Sequence, residues 1–429
     1  MEWTLRRGPW WPFWGIWASY FFLLALSGSI SRYPNFSRAV VYELAFVVFV
    51  SAPLLLLPSS SQIGPWPTRL SLPRLERHGL ALIFSGLGIS AIALVSLFID
   101  RMIQGIDYTH GACIAREQMT QLGLLRSGVS SPFSVIGQLF GYTFFVPVAV
   151  VMMWDVTRKL FWVVMSSAFL LLMVQSELAA SRSTIMLFGT FVLAMIGIRT
   201  ALGGCPRLRQ VDLGMSVALG AIAIGFILYV FVCRADASNM SPQQYARSFE
   251  SYLGVKRSIL LPTTDQPGEI GKISGVLAIA VMYATHSAFT FAGLLTRSDS
   301  DSLLLFSGPR ELLSKVGIHL GGAGQTDFSG RFPSLPGALY HDFGLPVMLA
   351  TGVLLGIAMW GAMVALRVFP GRVFVIGAAS AIYIIAYLSP LMFAVDIMAF
   401  PFICFGFVII PLAMFRVGQR RAAPRLEEA

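Results

Sequence analysis

Arg182 lies in the turn Glu177-Leu178-Ala179-Ala180-Ser181-Arg182-Ser183, between two short apolar runs, 160–176 and 184–198. Crossing a bilayer takes about 20 apolar residues. A charged turn between shorter runs is therefore expected to sink below the surface or to thin the membrane locally. A guanidinium held there suits one task well, because its planar fork of donors grips phosphate oxygens bidentately. The plainer reading is an arginine snorkelling from a helix end. Arg116 closes the stretch Asp107-Tyr108-Thr109-His110-Gly111-Ala112-Cys113-Ile114-Ala115-Arg116 and offers a second phosphate contact. A solvated loop arginine fits it equally well.

Proton-transfer candidates come next. His286 interrupts an otherwise apolar segment, and an ionisable group at membrane depth is a functional candidate by default. Asp342 stands at the mouth of a late apolar run, where it could take a proton or cap the helix start. His110, His286, His319 and His341 show no His-x-x-x-His or Glu-x-x-His spacing, so no metal and no cofactor are expected. The four cysteines include no pair at metal-ligand spacing. Cys113 and Cys233 both fall on the side read below as outer, where an oxidising compartment could join them; with so few cysteines, two free thiols are the expected state.

The elements that must position these groups are membrane spans. The chain has 429 residues, 56% hydrophobic and 12% charged, with a mean hydropathy of +0.73. That is about half the charge of a soluble domain. The expected fold is all-α, a polytopic membrane bundle of about ten spans: 10–30, 39–57, 79–99, 133–154, 160–176, 184–198, 213–232, 345–366, 373–390 and 391–415. Ala25-Leu26-Ser27 is a passable signal-peptidase site, but Trp10, Trp11, Trp14 and Trp17 crowd the start as in an interfacial belt. An uncleaved first span is expected.

Orientation follows from the basic residues. With the N-terminus inside, segments 1–9, 58–78, 155–159, 199–211, 367–372 and 416–429 hold 16 of the 31 Lys and Arg. All of the net charge of +10 then gathers on one face, as the positive-inside rule requires. Both termini are expected in the cytoplasm, and the charge reads as topology and anionic-lipid contact, with no nucleic-acid partner. Three notable outer segments remain: 100–132, the tight turn at 177–183 and a large one at 233–344. Ser274–Leu295 within the last is apolar enough to cross, but a lone crossing would put Arg416, Arg420, Arg421 and Arg425 outside. A re-entrant or interfacial helix lining an outer site is expected instead. No phosphate-binding loop is present, which speaks against an ATP-driven function.

The run Phe332-Pro333-Ser334-Leu335-Pro336-Gly337-Ala338-Leu339-Tyr340-His341-Asp342-Phe343-Gly344, followed by an apolar helix, resembles bacterial oligosaccharide repeat-unit polymerases, the Wzy type of O-antigen and exopolysaccharide polymerase. The Ser181-Arg182-Ser183 turn, the Asp107-Tyr108…Arg116 segment and the overall layout are similar to that family over nearly the whole chain. The resemblance implies a metal-independent integral-membrane glycosyltransferase in the bacterial cytoplasmic (inner) membrane, working on its periplasmic face. It implies a glycan on polyprenyl diphosphate as donor, a non-reducing-end hydroxyl of another lipid-linked repeat unit as acceptor, and a chain-length regulator as a further partner. On that reading Arg182, Arg116 and Arg331 hold the diphosphate, and Asp342, His286 or His341 takes the acceptor's proton.

Rival readings stay open. An O-antigen ligase performs the same chemistry on a different acceptor. A transporter or flippase for lipid-linked glycans predicts short loops on both sides and charges facing a central path. A non-catalytic member of a polysaccharide assembly complex would tolerate loss of Arg182.

Overall fold

The computed structural model describes residues 9–58, 75–109, 111–122, 131–179, 181–202, 210–257, 268–296, 303–306, 309–310 and 333–422. The protein is an all-α membrane protein. Its helices are α1 (Trp10–Ser27), α2 (Phe36–Leu56), α3 (Arg77–Ile103), α4 (Ala112–Gln121), α5 (Pro132–Phe140), α6 (Phe145–Met153) and α7 (Arg158–Leu178). They continue as α8 (Ser183–Ala201), α9 (Gln210–Ala237), α10 (Pro242–Leu253), α11 (Glu269–Thr296), α12 (Leu335–Val368), α13 (Val373–Leu388) and α14 (Ala399–Ala422). Among the described residues, eight helical stretches are long and apolar enough to cross a membrane, and α13 and the apolar part of α14 are shorter. The only described sheet is a two-stranded ribbon, β1 (Ile30–Ser31) antiparallel to β2 (Val255–Arg257).

Helix α7 has 21 residues and α8 has 19, both long enough to cross. The expectation that short spans sink the Arg182 turn is thus corrected. Polar residues complete both helices: Arg158 and Lys159 open α7 and Arg199 and Thr200 close α8. Arg182 is half-buried because other elements cover it.

Much of that cover comes from the range read as one outer loop, 233–344, which contains α10, β2, α11 and the start of α12. Helix α11 is unbroken over 28 residues. Near its start, Gly275 lies against Pro242 and Gln243, just beyond α9. Near its end, the Leu295 carbonyl accepts from Asn35, which opens α2. Ribbon β1–β2 brings those two regions together, and Arg32 N–H donates to Gly254 O. In between, Ser287 donates to the Pro390 carbonyl in the α13–α14 connection. These contacts bring α11, itself one of the eight helices long and apolar enough to cross, against α2, the chain just beyond α9 and the α13–α14 connection.

A fold-back occurs in α12. Ser334 Oγ donates to Glu43 and Leu335 N–H to Ser389 O, while Tyr340 packs on Tyr42 with ring centroids 5.2 Å apart. Further on, Gly352 lies on Phe46 and Gly356 on Val50. Residues 334 and 352 therefore meet α2 at nearly the same height, although a straight helix would separate them by roughly 27 Å. The chain doubles back at Gly344, whose φ of 80° and ψ of 176° suit glycine alone. Residues 335–343 thus enter from the end of the bundle as a short helical segment. Irregular backbone at membrane depth must be covered by protein, and here α2, α11 and α13 provide it.

Candidate functional site

Three arginines converge where α4, the α7–α8 turn, α9 and α11 meet. The Arg182 guanidinium stands 4.4 Å from the ring centroids of both Phe231 and Tyr283. Its Nη1 is buried without a hydrogen bond among the described residues. Tyr283 stacks on Phe249 at 4.7 Å and 7°, and lies 4.9 Å from Phe231. Arg234, at the end of α9, directs Nη1 to the Tyr283 hydroxyl at 3.5 Å. Arg116 completes the group from α4. Burial pushes its guanidinium down to about 10, and the like charges of Arg234 and Arg182 press in the same direction. Burial also lowers Arg182, with Arg234 adding to the effect and Tyr283 opposing it.

Aromatic faces attract a guanidinium by roughly 0.5–2 kcal/mol each but do not neutralise it. A cluster of desolvated cations held by rings is a preorganised receptor for a multiply charged anion, with planar donor forks suited to phosphate. Sequence reasoning reached Arg182 and Arg116 but missed Arg234, which closes an apolar helix and reads there as a snorkelling residue. Arg331 lies outside the described residues.

The Cys113–Cys233 pair is joined in a disulfide, which corrects the expectation of free thiols. Its Cα atoms are 5.9 Å apart across 120 residues of sequence. Proximity between α4 and α9 is a tertiary property that no local spacing reveals. The bond sits one helical turn from Arg116 and one residue from Arg234.

His286 lies one turn beyond Tyr283, with ring centroids 5.9 Å apart, and is only 4% exposed. Its Nδ1 donates to the Tyr283 carbonyl at 2.6 Å, so Nε2 carries the lone pair of the neutral ring. The structure therefore gathers Arg116, Arg182 and His286 around Tyr283.

His341 and Asp342 belong to another cluster. The Asp342 carboxylate accepts from Leu304 N–H at 2.9 and 3.1 Å, from Leu305 N–H at 2.8 Å and from His341 Nδ1 at 2.8 Å. Its side chain is fully buried. A carboxylate so occupied anchors the 303–306 segment to α12 and orients His341 through its Nδ1.

A third cluster went unread in the sequence. Glu43, in the interior of α2 and fully buried, accepts from Tyr20 Oη at 2.9 Å and Ser334 Oγ at 2.9 Å. Tyr20 and Ser287 hydroxyls lie 3.1 Å apart. These bonds tie α1, α2, α11 and the folded-back segment together, directly beside His286. A single acid inside an apolar run gives no hint of its partners, which lie far away in sequence. Comparison with protein-family models, with curated proteins and with solved structures gives no match for this chain.

Proposed function

We propose that this protein polymerises lipid-linked oligosaccharide repeat units on the periplasmic face of the bacterial cytoplasmic membrane. The observation that carries the reading is the arginine cluster, with a buried, unsatisfied Arg182 Nη1, next to His286. Arg116, Arg182 and Arg234 grip the diphosphate of a polyprenyl-linked glycan. The acceptor hydroxyl of a second repeat unit attacks the anomeric carbon, forming the new glycosidic bond. The bond from that carbon to the diphosphate breaks, and its electron pair leaves with polyprenyl diphosphate. The acceptor's proton passes to His286 Nε2. Arginine stabilisation of the leaving charge typically contributes two to three orders of magnitude per donor. Asp342 and His341 support the reaction from the folded-back segment, with Asp342 positioning and His341 as an alternative proton acceptor.

Topology fits this reading. About ten crossings with both termini cytoplasmic leave α11 lying across the outer ends of the bundle. The disulfide then falls on the oxidising side of the membrane, where such bonds persist. A lipid-borne diphosphate would reach the cluster sideways from the outer leaflet.

The test is the length distribution of polyprenyl-diphosphate-linked glycans in cells carrying Arg182→Ala against the parent. Single repeats at the outer face, with protein level and insertion unchanged, are the expected result. Normal chain length would overturn the assignment, and long lipid-linked chains that never leave their carrier would indicate a ligase.

A further inference from the structure

Three guanidiniums brought together in a buried site repel one another, so something other than their mutual contacts must hold them in register. Arg182 is fixed by its turn and by two rings. Arg234 is fixed by α9 and by Tyr283. Arg116 rides on α4, a ten-residue helix, too short to be stable on its own. Its mean hydropathic character is polar, and it contributes few core side chains: Ala115 and Met119 pack with Ile106 and Tyr108 in a small cluster apart from the main core. Two contacts with the site's frame lie at the start of α4. Gly111, before α4, faces the Tyr229 hydroxyl at a positive φ, and Cys113 is bonded to Cys233.

The bond's placement matters. On α4, Cys113 and Arg116 are three residues apart and share one face of the helix. On α9, Cys233 immediately precedes Arg234. One covalent link thus fixes two of the three cations with respect to each other.

We propose that the Cys113–Cys233 disulfide is the positioning clamp of the anion site, and that high affinity for a diphosphate depends on its being oxidised. This rests on reading the same arginine cluster as an anion receptor. Reduction by a thiol or phosphine consumes two electrons and two protons, gives two cysteine thiols and oxidises the reductant. Like-charge repulsion then moves α4 away, and Arg116 leaves the site. By linkage, a bound diphosphate holds α4 in place and makes the bond harder to reduce.

The experiment uses the full chain in lipid nanodiscs, with inorganic pyrophosphate as probe and binding read by calorimetry. The oxidised protein is expected to bind. Reduction, followed by blocking of the thiols, should weaken binding about tenfold to hundredfold, the loss of one charge-assisted contact. Reoxidation of an unblocked sample should restore it. Cys113→Ala/Cys233→Ala should match the reduced protein while keeping its helical circular dichroism and monodisperse elution. If that variant misfolds, the reversible cycle on the natural chain decides alone. Arg116→Ala should bind weakly in both redox states. Equal affinity of oxidised and reduced protein, or a redox effect that survives in Arg116→Ala, would overturn the clamp. Failure of the oxidised protein to bind pyrophosphate would overturn the anion site with it. Redox-dependent binding without any glycan elongation in cells would uphold the clamp and sink only the polymerase reading.

Discussion

Arg182 and Tyr283 meet with the guanidinium carbon 4.4 Å from the ring centroid, although one stands in a turn between two helices and the other in the middle of a third. The same ring receives Arg234 through its hydroxyl and leads, one turn later, to His286. Tyr283 is therefore the hub on which the cations and the candidate base are set.

Replacing Arg182 separates charge from shape. Arg182→Lys keeps the charge but loses the planar fork and its stacking on Phe231 and Tyr283. Elongation should fall by at least about 100-fold in both Arg182→Ala and Arg182→Lys. The check is in vitro chain extension with purified protein and lipid-linked repeat units. A lysine variant near parental rate would show that charge alone suffices.

His286 should affect rate and leave anion binding alone. Its Nδ1 donates to the Tyr283 carbonyl, so Nε2 is the ring nitrogen that would take a substrate proton. His286→Gln should cut elongation by about 100-fold to 10,000-fold, with pyrophosphate affinity within about threefold of parent. A comparable loss of pyrophosphate binding would show that His286 holds the site together and transfers no proton.

Arg116 costs the empty protein stability. Its folded-state value of about 10 lies below the ordinary arginine range, from burial first and then from Arg234 and Arg182. The charged form is therefore disfavoured by folding at every pH below about 10, and the penalty lifts as pH rises from about 10 towards the ordinary arginine range. At pH 7, Arg116→Met should stabilise the ligand-free protein by about 1 kcal/mol while weakening pyrophosphate binding. Thermal unfolding with and without pyrophosphate measures both. A destabilised ligand-free variant would contradict the account.

Gly344 turns the chain between the folded-back segment and the long part of α12. A side chain at φ 80° and ψ 176° is strained by about 1–3 kcal/mol. Gly344→Ala should lower thermal stability by that order and release the Asp342 anchor on Leu304 and Leu305. Thiol labelling of a cysteine placed at Leu304 should speed up in the variant; unchanged labelling would place the hinge elsewhere.

Glu43 should respond by degree. Glu43→Gln keeps an acceptor for one of its two hydroxyl donors, whereas Glu43→Ala strands both Tyr20 and Ser334 in the core. Unsatisfied buried donors cost about 1–3 kcal/mol each, so alanine should lower stability clearly more than glutamine. Equal effects in a thermal-shift series would mean the hydroxyls find other partners.

The membrane bundle was plain in the sequence because a run such as 39–57 has no other stable home. Arg182 and Arg116 were also legible, since a charge that interrupts apolar sequence stands out. The argument that singled out Arg182 was wrong in one step, however: α7 and α8 are full-length, and the burial comes from α9 and α11 laid over the turn. Arg234, the disulfide and the Glu43 network depend on contacts between residues from 23 to 291 positions apart. Periodicity carries no information about such contacts. Gly344 could have been suspected from the Phe-Gly-Leu-Pro stretch, but the reversal shows only through the matched heights of Ser334 and Gly352 on α2.

Arg116, Arg182, Arg234 and Tyr283 lie in that order along the chain, so they leave the ribosome in that order too. All three cations are in the membrane before the helix that covers them has been synthesised. A chain stopped after α9 would present bare guanidiniums, with neither Tyr283 nor α11 to hold or shield them. The receptor thus comes into being only when the second half of the protein folds down onto the first, and proofreading of membrane insertion at α11 is at once proofreading of activity.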